Sequence, residues 1–283
     1  MKKSQSFLAY SQSPYRSIKH NTYFKVYDNL FTRFRNKKIT FVEIGVLGGG
    51  SLFMWREFFG KGTRIIGVDM NPDAKKWEKH GFEILIGSQS DEQFWYDFIN
   101  KIGKVDIILD DGGHTYDQQI ITTEMLLGNI NDGGMLVVED THTSYMPGFG
   151  NQKYSFINYT KKLIDHINSR FSSFSNIKSE KRVWSIQIYE SIVAFLINKD
   201  ATDTTSAPTD NGGKNDLSKD FRYEDFNLII KLEFITKYLK YFPGFKLLKK
   251  YIKVFLVSSR SQSKKFFKWL LLNIKTINKR KDY

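Results

Sequence analysis

Thr40-Phe41-Val42-Glu43-Ile44-Gly45-Val46-Leu47-Gly48-Gly49-Gly50 passes without a break from an apolar, β-prone segment into a glycine-rich turn, and a helix-like stretch, Ser51–Phe59, follows it. A continuous apolar run of this kind is expected of a strand covered on both faces. Glycines at its end let the backbone turn sharply and approach a ligand closely. The next helix offers free N–H donors at its N-terminus. The junction reads as the first strand–turn–helix step of a ligand-binding parallel sheet.

The same rhythm continues outward. Arg64–Val68, Phe82–Ile86, Val105–Leu109 and Met135–Val138 are further short apolar runs, and Asp91–Ile102 and Tyr116–Asn129 are long enough to be crossover helices. Alternation of this kind predicts a doubly wound, Rossmann-like α/β sheet. Val183–Tyr189 and Ser191–Ile197, on either side of Glu190, predict two closing antiparallel strands.

The chain has 283 residues, enough for one or two domains with a sizeable core, and it contains no cysteine. Disulfides, thiolate zinc sites and cysteine nucleophiles are therefore excluded, and a cytoplasmic location is expected. Met1-Lys2-Lys3-Ser4 is basic, but no apolar segment follows it, so no secretory signal is read. The net charge of +13 is not evenly spread: residues 234–281 hold fourteen lysines and arginines and no Asp or Glu. The basicity belongs to the C-terminal region.

Asp69, about 26 residues after Glu43, stands at the end of the second apolar run, where an acid can accept hydrogen bonds from ribose hydroxyls. A glycine-rich turn plus a distant acid could also hold NAD. The glycines around Gly45 do not follow Gly-x-Gly-x-x-Gly, however, and Glu43 would repel a pyrophosphate while suiting the cationic amino end of S-adenosylmethionine. The methyl donor is therefore the expected cofactor. Ser88 and Gln89, after the third strand, are expected at a polar lip around its adenine.

The fourth strand delivers Asp110, Asp111 and His114 to its carboxyl end, and the fifth delivers Glu139 and Asp140. Ligands of open parallel sheets gather at these ends. Carboxylates brought together need a cation. Hard oxygen donors without cysteine favour Mg²⁺, with Mn²⁺ or Ca²⁺ as alternatives. A histidine beside such an ion suits a general base, with His142 as a second candidate to His114.

Asp110-Asp111-Gly112-Gly113-His114, followed by Gly133-Gly134-Met135-Leu136-Val137-Val138-Glu139-Asp140, resembles the metal-dependent sugar O-methyltransferases of macrolide and aminocoumarin pathways and the related cephalosporin-hydroxylase-like group. The resemblance covers about residues 17–150. It implies a class I methyltransferase fold, magnesium held by Asp111, Glu139 and Asp140, and His114 as base; Asp110 is then free to face the cofactor side of the fourth strand. It also implies that Tyr145–Gly150 borders the acceptor pocket and that Lys19–Tyr23 with Tyr27 forms a lid. Ile18 stands where the family carries an acid, so no lid residue is carried over; Gly113 replaces a commoner serine. The implied acceptor is a sugar hydroxyl on a glycan, with a non-sugar small molecule such as a catechol-like diol as the alternative. A non-catalytic binding protein of the same fold is disfavoured by the full set of acids and the base.

On this reading residues 1–200 form the methyltransferase domain with its lid, residues 201–220 a flexible linker, and residues 221–283 a basic amphipathic tail. The linker belongs to a polar stretch, Asn198–Asp220, too poor in apolar surface to offset its ordering entropy. In the tail Phe221–Phe242, Phe245–Val257 and Ser263–Ile277 predict helices, and Pro243-Gly244 separates the first two. No apolar run approaches the ~20 residues that span a bilayer. The tail suits an anionic membrane surface on the inner face, a partner protein or a second copy in a homo-oligomer. Its load of Phe266, Phe267, Trp269 and Leu270–Leu272 exceeds what nucleic-acid phosphates require. Membrane association would suit a role in surface polysaccharide assembly.

Overall fold

The computed structural model describes residues 4–171 and 183–214, and in the C-terminal region residues 227, 230, 231, 234, 245–259, 264, 265 and 267–269. The chain divides into two compact units, Met1–Thr209 and Asp210–Tyr283.

The first unit is built on one sheet. Strands β1 (Thr40–Ile44), β2 (Arg64–Asp69), β3 (Glu83–Ile86), β4 (Val105–Asp110) and β5 (Ile130–Val138) are parallel, and β6 (Ser185–Tyr189) and β7 (Ile192–Leu196) close it antiparallel. The order is β3-β2-β1-β4-β5-β7-β6, the doubly wound arrangement with a terminal hairpin of the class I methyltransferase fold. Strand order reverses between β1 and β4, and the crevice beyond their carboxyl ends is where such sheets bind ligands.

Side chains alternate across the sheet with period two. Phe41, Ile65, Ile107, Leu109 and Val137 face one core, built with helices α1 (Gln5–Ser11), α2 (Tyr23–Phe31) and α3 (Gly50–Phe59). Val42, Ile44, Ile66, Ile108, Leu136 and Val138 face the other, covered by α4 (Glu92–Ile102), α5 (Tyr116–Leu126) and α6 (Phe156–Ser169). By the same parity Glu43 and Glu139 point to the first face and Asp110 to the second. Caps fix where the helices over the site begin. Asp91 accepts from the backbone N–H groups of Gln93 and Phe94, and Thr115 with Gln118 forms a reciprocal capping box.

Strand β5 starts at Ile130, not at Met135. Ile130 pairs with Val105 across a register shift, so the turn-like run Asn131-Asp132-Gly133-Gly134 is carried within the strand. Helix α5 stops at Leu126, and Leu127–Asn129 tightens into a 3₁₀ turn. The polar stretch read as linker begins with an ordered helix, α7 (Lys199–Asp203): Asn198 caps it and Thr202 is buried.

In the second unit, Phe245–Ser259 forms helix α8, two residues longer than expected, with Leu247, Leu248, Tyr251 and Phe255 exposed. The expected helices Phe221–Phe242 and Ser263–Ile277 lie mostly outside the described residues. No helix among the described residues is long and apolar enough to cross a membrane.

Candidate active site

A cavity of about 400 Å³ opens at the carboxyl ends of β1, β2 and β4, within the range of small-molecule sites. Gly45, Asp69, Gln89, Asp111, His114 and Asp140 line it. Residues expected in the donor half and in the acid cluster therefore share one wall.

In the donor half, Gly45 adopts φ +90°, and a Cβ there would lie 2.1 Å from the carbonyl oxygen of Asp111. Only glycine lets the β1 turn and the β4 turn pass this closely. Asp69 organises that turn: its Oδ2 accepts from the backbone N–H groups of Val46 and Leu47, both at 2.9 Å, and its Oδ1 accepts from Asn71 N–H at 2.8 Å. Gln89 donates from Nε2 to Asp110 Oδ1 at 2.7 Å and accepts from Gly113 N–H at 2.9 Å, tying the third turn to the fourth.

Three expected donor-binding residues do not reach the cavity wall. Glu43 is fully buried on the α3 face, where its oxygens accept from Ser51 Oγ at 2.8 Å and Trp55 Nε1 at 3.0 Å. Burial raises its carboxyl to about 7 against the pull of nearby Lys19. Strand parity turns this acid onto the α3 face, and it stands outside the cavity lining. Asp110 lies on the opposite face, also buried, with Oδ2 unpartnered; burial raises it to about 7. Ser88 accepts from Ser90 N–H at 3.3 Å and stands outside the lining.

In the chemical half, donor atoms of Asp111, His114 and Asp140 all lie within 4.8 Å of one another. His114 Nε2 is 3.3 Å from Asp140 Oδ2, while its Nδ1 is buried without a partner. His114 and Asp140 both adopt left-handed backbone angles, φ +59° and +54°. Glu139 lies deeper than these groups. It is fully buried, its Oε1 accepts from Tyr27 OH at 2.5 Å, and its Oε2 pairs with Lys19 Nζ at 3.0 Å. Burial pushes its carboxyl up; Lys19 and the Tyr27 hydrogen bond pull the other way. Through that lysine it is joined to Asp111, whose Oδ2 lies 2.6 Å from the same Nζ.

His142, the second candidate base, sits on the outer side of Asp140, with Nδ1 3.8 Å from Oδ1 and 2.5 Å from Ser191 Oγ. His20 approaches the same oxygen at 3.9 Å, and His20, Asp140 and His142 form a second group of close donor atoms.

The N-terminal segment contributes more than sequence reasoning carried over. Lys19 Nζ lies 2.6 Å from Asp111 Oδ2 with its side chain only 2% exposed. Burial opposes the charge on that ammonium, but Asp111 and Glu139 outweigh burial and hold its pKa well above the usual lysine value. Tyr23 donates from its hydroxyl to Asp140 Oδ1 and to Ser191 Oγ. Tyr23 and Tyr27, four apart on α2, put both hydroxyls on one helix face. That spacing was the available signal for the tyrosines. For Lys19 the signal was its place in the run that resembles the family's lid.

Residues 42–141 match the family model described as a methyltransferase domain. The chain is 33% identical over 159 residues to 8-demethyl-8-alpha-L-rhamnosyl tetracenomycin-C 2'-O-methyltransferase of Streptomyces olivaceus, covering 52% of this chain and 42% of the relative. It is 30% identical over 200 residues to mycinamicin VI 2''-O-methyltransferase of Micromonospora griseorubida, covering 65% of this chain and 49% of the relative. The solved structure of the MycE methyltransferase from the mycinamycin biosynthetic pathway, in complex with Mg and SAH, matches with a TM-score of 0.63 at 28% identity. That match covers 74% of this chain and 57% of the other. The chain thus spans less than half the length of either curated relative that it matches. These matches bear out the fold and the resemblance to sugar O-methyltransferases.

Proposed function

We propose that the chain methylates a sugar hydroxyl with S-adenosylmethionine, assisted by Mg²⁺ or Mn²⁺. The observation that carries this reading is the convergence of Asp111, His114 and Asp140 on the wall of the cavity that Gly45 and Asp69 also line.

The residues fit both groups. For the donor, Asp69 supplies an acid for ribose hydroxyls, while Val68 and Met70 give apolar wall for a base. For the metal, Asp111 and Asp140 offer hard oxygens at the spacing of a shared ion, and His114 stands with them. When bound, a divalent cation lowers the pKa of an acceptor hydroxyl and neutralises the acids around it. Asp111, Glu139 and Asp140 would hold it. His114 takes the hydroxyl proton at Nε2, and Asp140 Oδ2 beside it stabilises the imidazolium that forms. Protein groups around the cavity orient the hydroxyl oxygen towards the transferred methyl carbon, and that orientation supplies much of the rate.

The acceptor class is suggested by the relatives, whose names specify 2'-O-methylation of a rhamnosyl tetracenomycin and 2''-O-methylation of mycinamicin VI. The exposed apolar side chains of α8, within the acid-free basic stretch, favour peripheral attachment to an anionic membrane on the cytoplasmic side and hence a glycan acceptor of surface polysaccharide assembly. Incubation with methyl-labelled donor and a panel of deoxyhexose glycosides, read by mass spectrometry, tests the reading: a labelled methyl on the sugar is expected. Label on non-sugar diols alone would shift the function to the small-molecule alternative.

A further inference from the structure

We propose that His20, His142 and the outer carboxylate oxygen of Asp140 form a zinc site on the outer side of the cavity wall, which fastens the N-terminal segment to the turn after β5. The site goes beyond the methyl-transfer reading and stands without it, since both imidazoles lie outside the cavity lining.

The carboxylate of Asp140 faces two ways. Its Oδ2 lies 3.3 Å from His114 Nε2, on the cavity side. Its Oδ1 lies 3.9 Å from His20 Nε2 and 3.8 Å from His142 Nδ1. Donor atoms of His20, Asp140 and His142 all fall within 4.8 Å of one another, a cluster distinct from that of Asp111, His114 and Asp140.

Donor chemistry selects the ion. Two imidazoles and one carboxylate, with a fourth position open to water, suit zinc; magnesium prefers a shell of oxygens. Ligand atoms around a tetrahedral zinc stand roughly 3.3 Å apart, so the two nitrogen–oxygen spacings need to close by only about half an ångström. The side chains of His20 and His142 are 65% and 44% exposed, and their rotation supplies that movement. The ligands are also oriented from behind. Tyr23 donates to Asp140 Oδ1, and Ser191 Oγ, 2.5 Å from His142 Nδ1, holds that nitrogen on the carboxylate's side until the ion takes it. Partners of this kind fix the direction of metal ligands. His20 stands three residues before Tyr23, the first residue of α2, and His142 two residues after Asp140, so zinc ties two segments that are far apart in sequence.

The full chain in excess Mg²⁺ is titrated with Zn²⁺ by calorimetry. One Zn²⁺ per chain is expected in the wild type and in His114→Ala, with affinity at least about tenfold weaker in His20→Ala and in His142→Ala. No binding in the wild type, or unweakened binding in either outer variant, overturns the proposal. Loss of binding in His114→Ala also overturns it, because the ion then sits on the cavity cluster. Should an outer variant fail to fold, labelling of wild-type histidines with diethylpyrocarbonate, mapped by mass spectrometry, decides. Zn²⁺ is expected to protect both His20 and His142, and an unchanged labelling rate at either overturns the proposal.

Discussion

His114 and Asp140 face each other at 3.3 Å, Nε2 to Oδ2, and both hold left-handed backbone angles that non-glycine residues rarely adopt. Each angle costs of order 1–3 kcal/mol, and such strain concentrates where a side chain must be aimed. Here two turns from neighbouring strands aim a base and an acid at the same point.

If His114 is the base, its replacement by Ala removes proton uptake but leaves the donor side of the cavity intact. Turnover is expected to fall roughly 10²–10⁴-fold. Donor binding, measured by calorimetry with S-adenosylhomocysteine, is expected to stay within about twofold of wild type, because Gly45 and Asp69 do not depend on the imidazole. Full turnover in His114→Ala would transfer the role to His142.

Asp111→Asn removes one charged ligand of the proposed ion while keeping the side chain's shape. Mn²⁺ affinity is expected to fall by at least about tenfold. Unchanged affinity would remove Asp111 from the ion's shell.

Gly45→Ala puts a methyl group 2.1 Å from the Asp111 carbonyl oxygen at a φ of +90°. Left-handed backbone alone costs a non-glycine residue about 1–2 kcal/mol. With the clash added, the loss in unfolding free energy is expected to exceed about 2 kcal/mol. Chemical denaturation measures it, and a neutral result would show that the two turns are looser than they stand here.

Glu43 gives a pH signature. Its carboxyl is raised by burial from 4.5 to about 7 in the folded chain. Between those values the folded state keeps a proton that the unfolded state has lost. The stability this group contributes is therefore complete at low pH and declines as pH rises through the folded value. Glu43→Gln keeps acceptors and donors for Trp55 and Ser51 without titrating. The wild-type melting temperature is expected to fall relative to that of Glu43→Gln between pH 5 and 8. A constant difference across that range would contradict the buried, raised carboxyl.

The sheet was readable because parallel strands covered on both faces leave continuous apolar runs, such as Val105–Leu109. The start of β5 was not, because Asn131–Gly134 has the composition of a turn and only pairing with β4 carries it into the strand. The site was readable to the level of which residues reach the strand ends. Which way each one points depends on parity and on neighbours far away in sequence. Glu43 shares the face of Phe41 and meets Trp55; Glu139 shares that of Val137 and meets Tyr27. Lys19 is the strongest case: its partners lie 92 and 120 residues away, and nothing near it in sequence announces that it will be buried.

On the proposed function, methyl transfer depends on a divalent ion held at Asp111, Glu139 and Asp140. The most direct measurement is turnover of S-adenosylmethionine with a deoxyhexose glycoside after exhaustive chelation, followed by titration with Mg²⁺. Loss of turnover on chelation and saturable recovery on adding Mg²⁺ is the predicted result. Undiminished turnover in the chelated protein would contradict it.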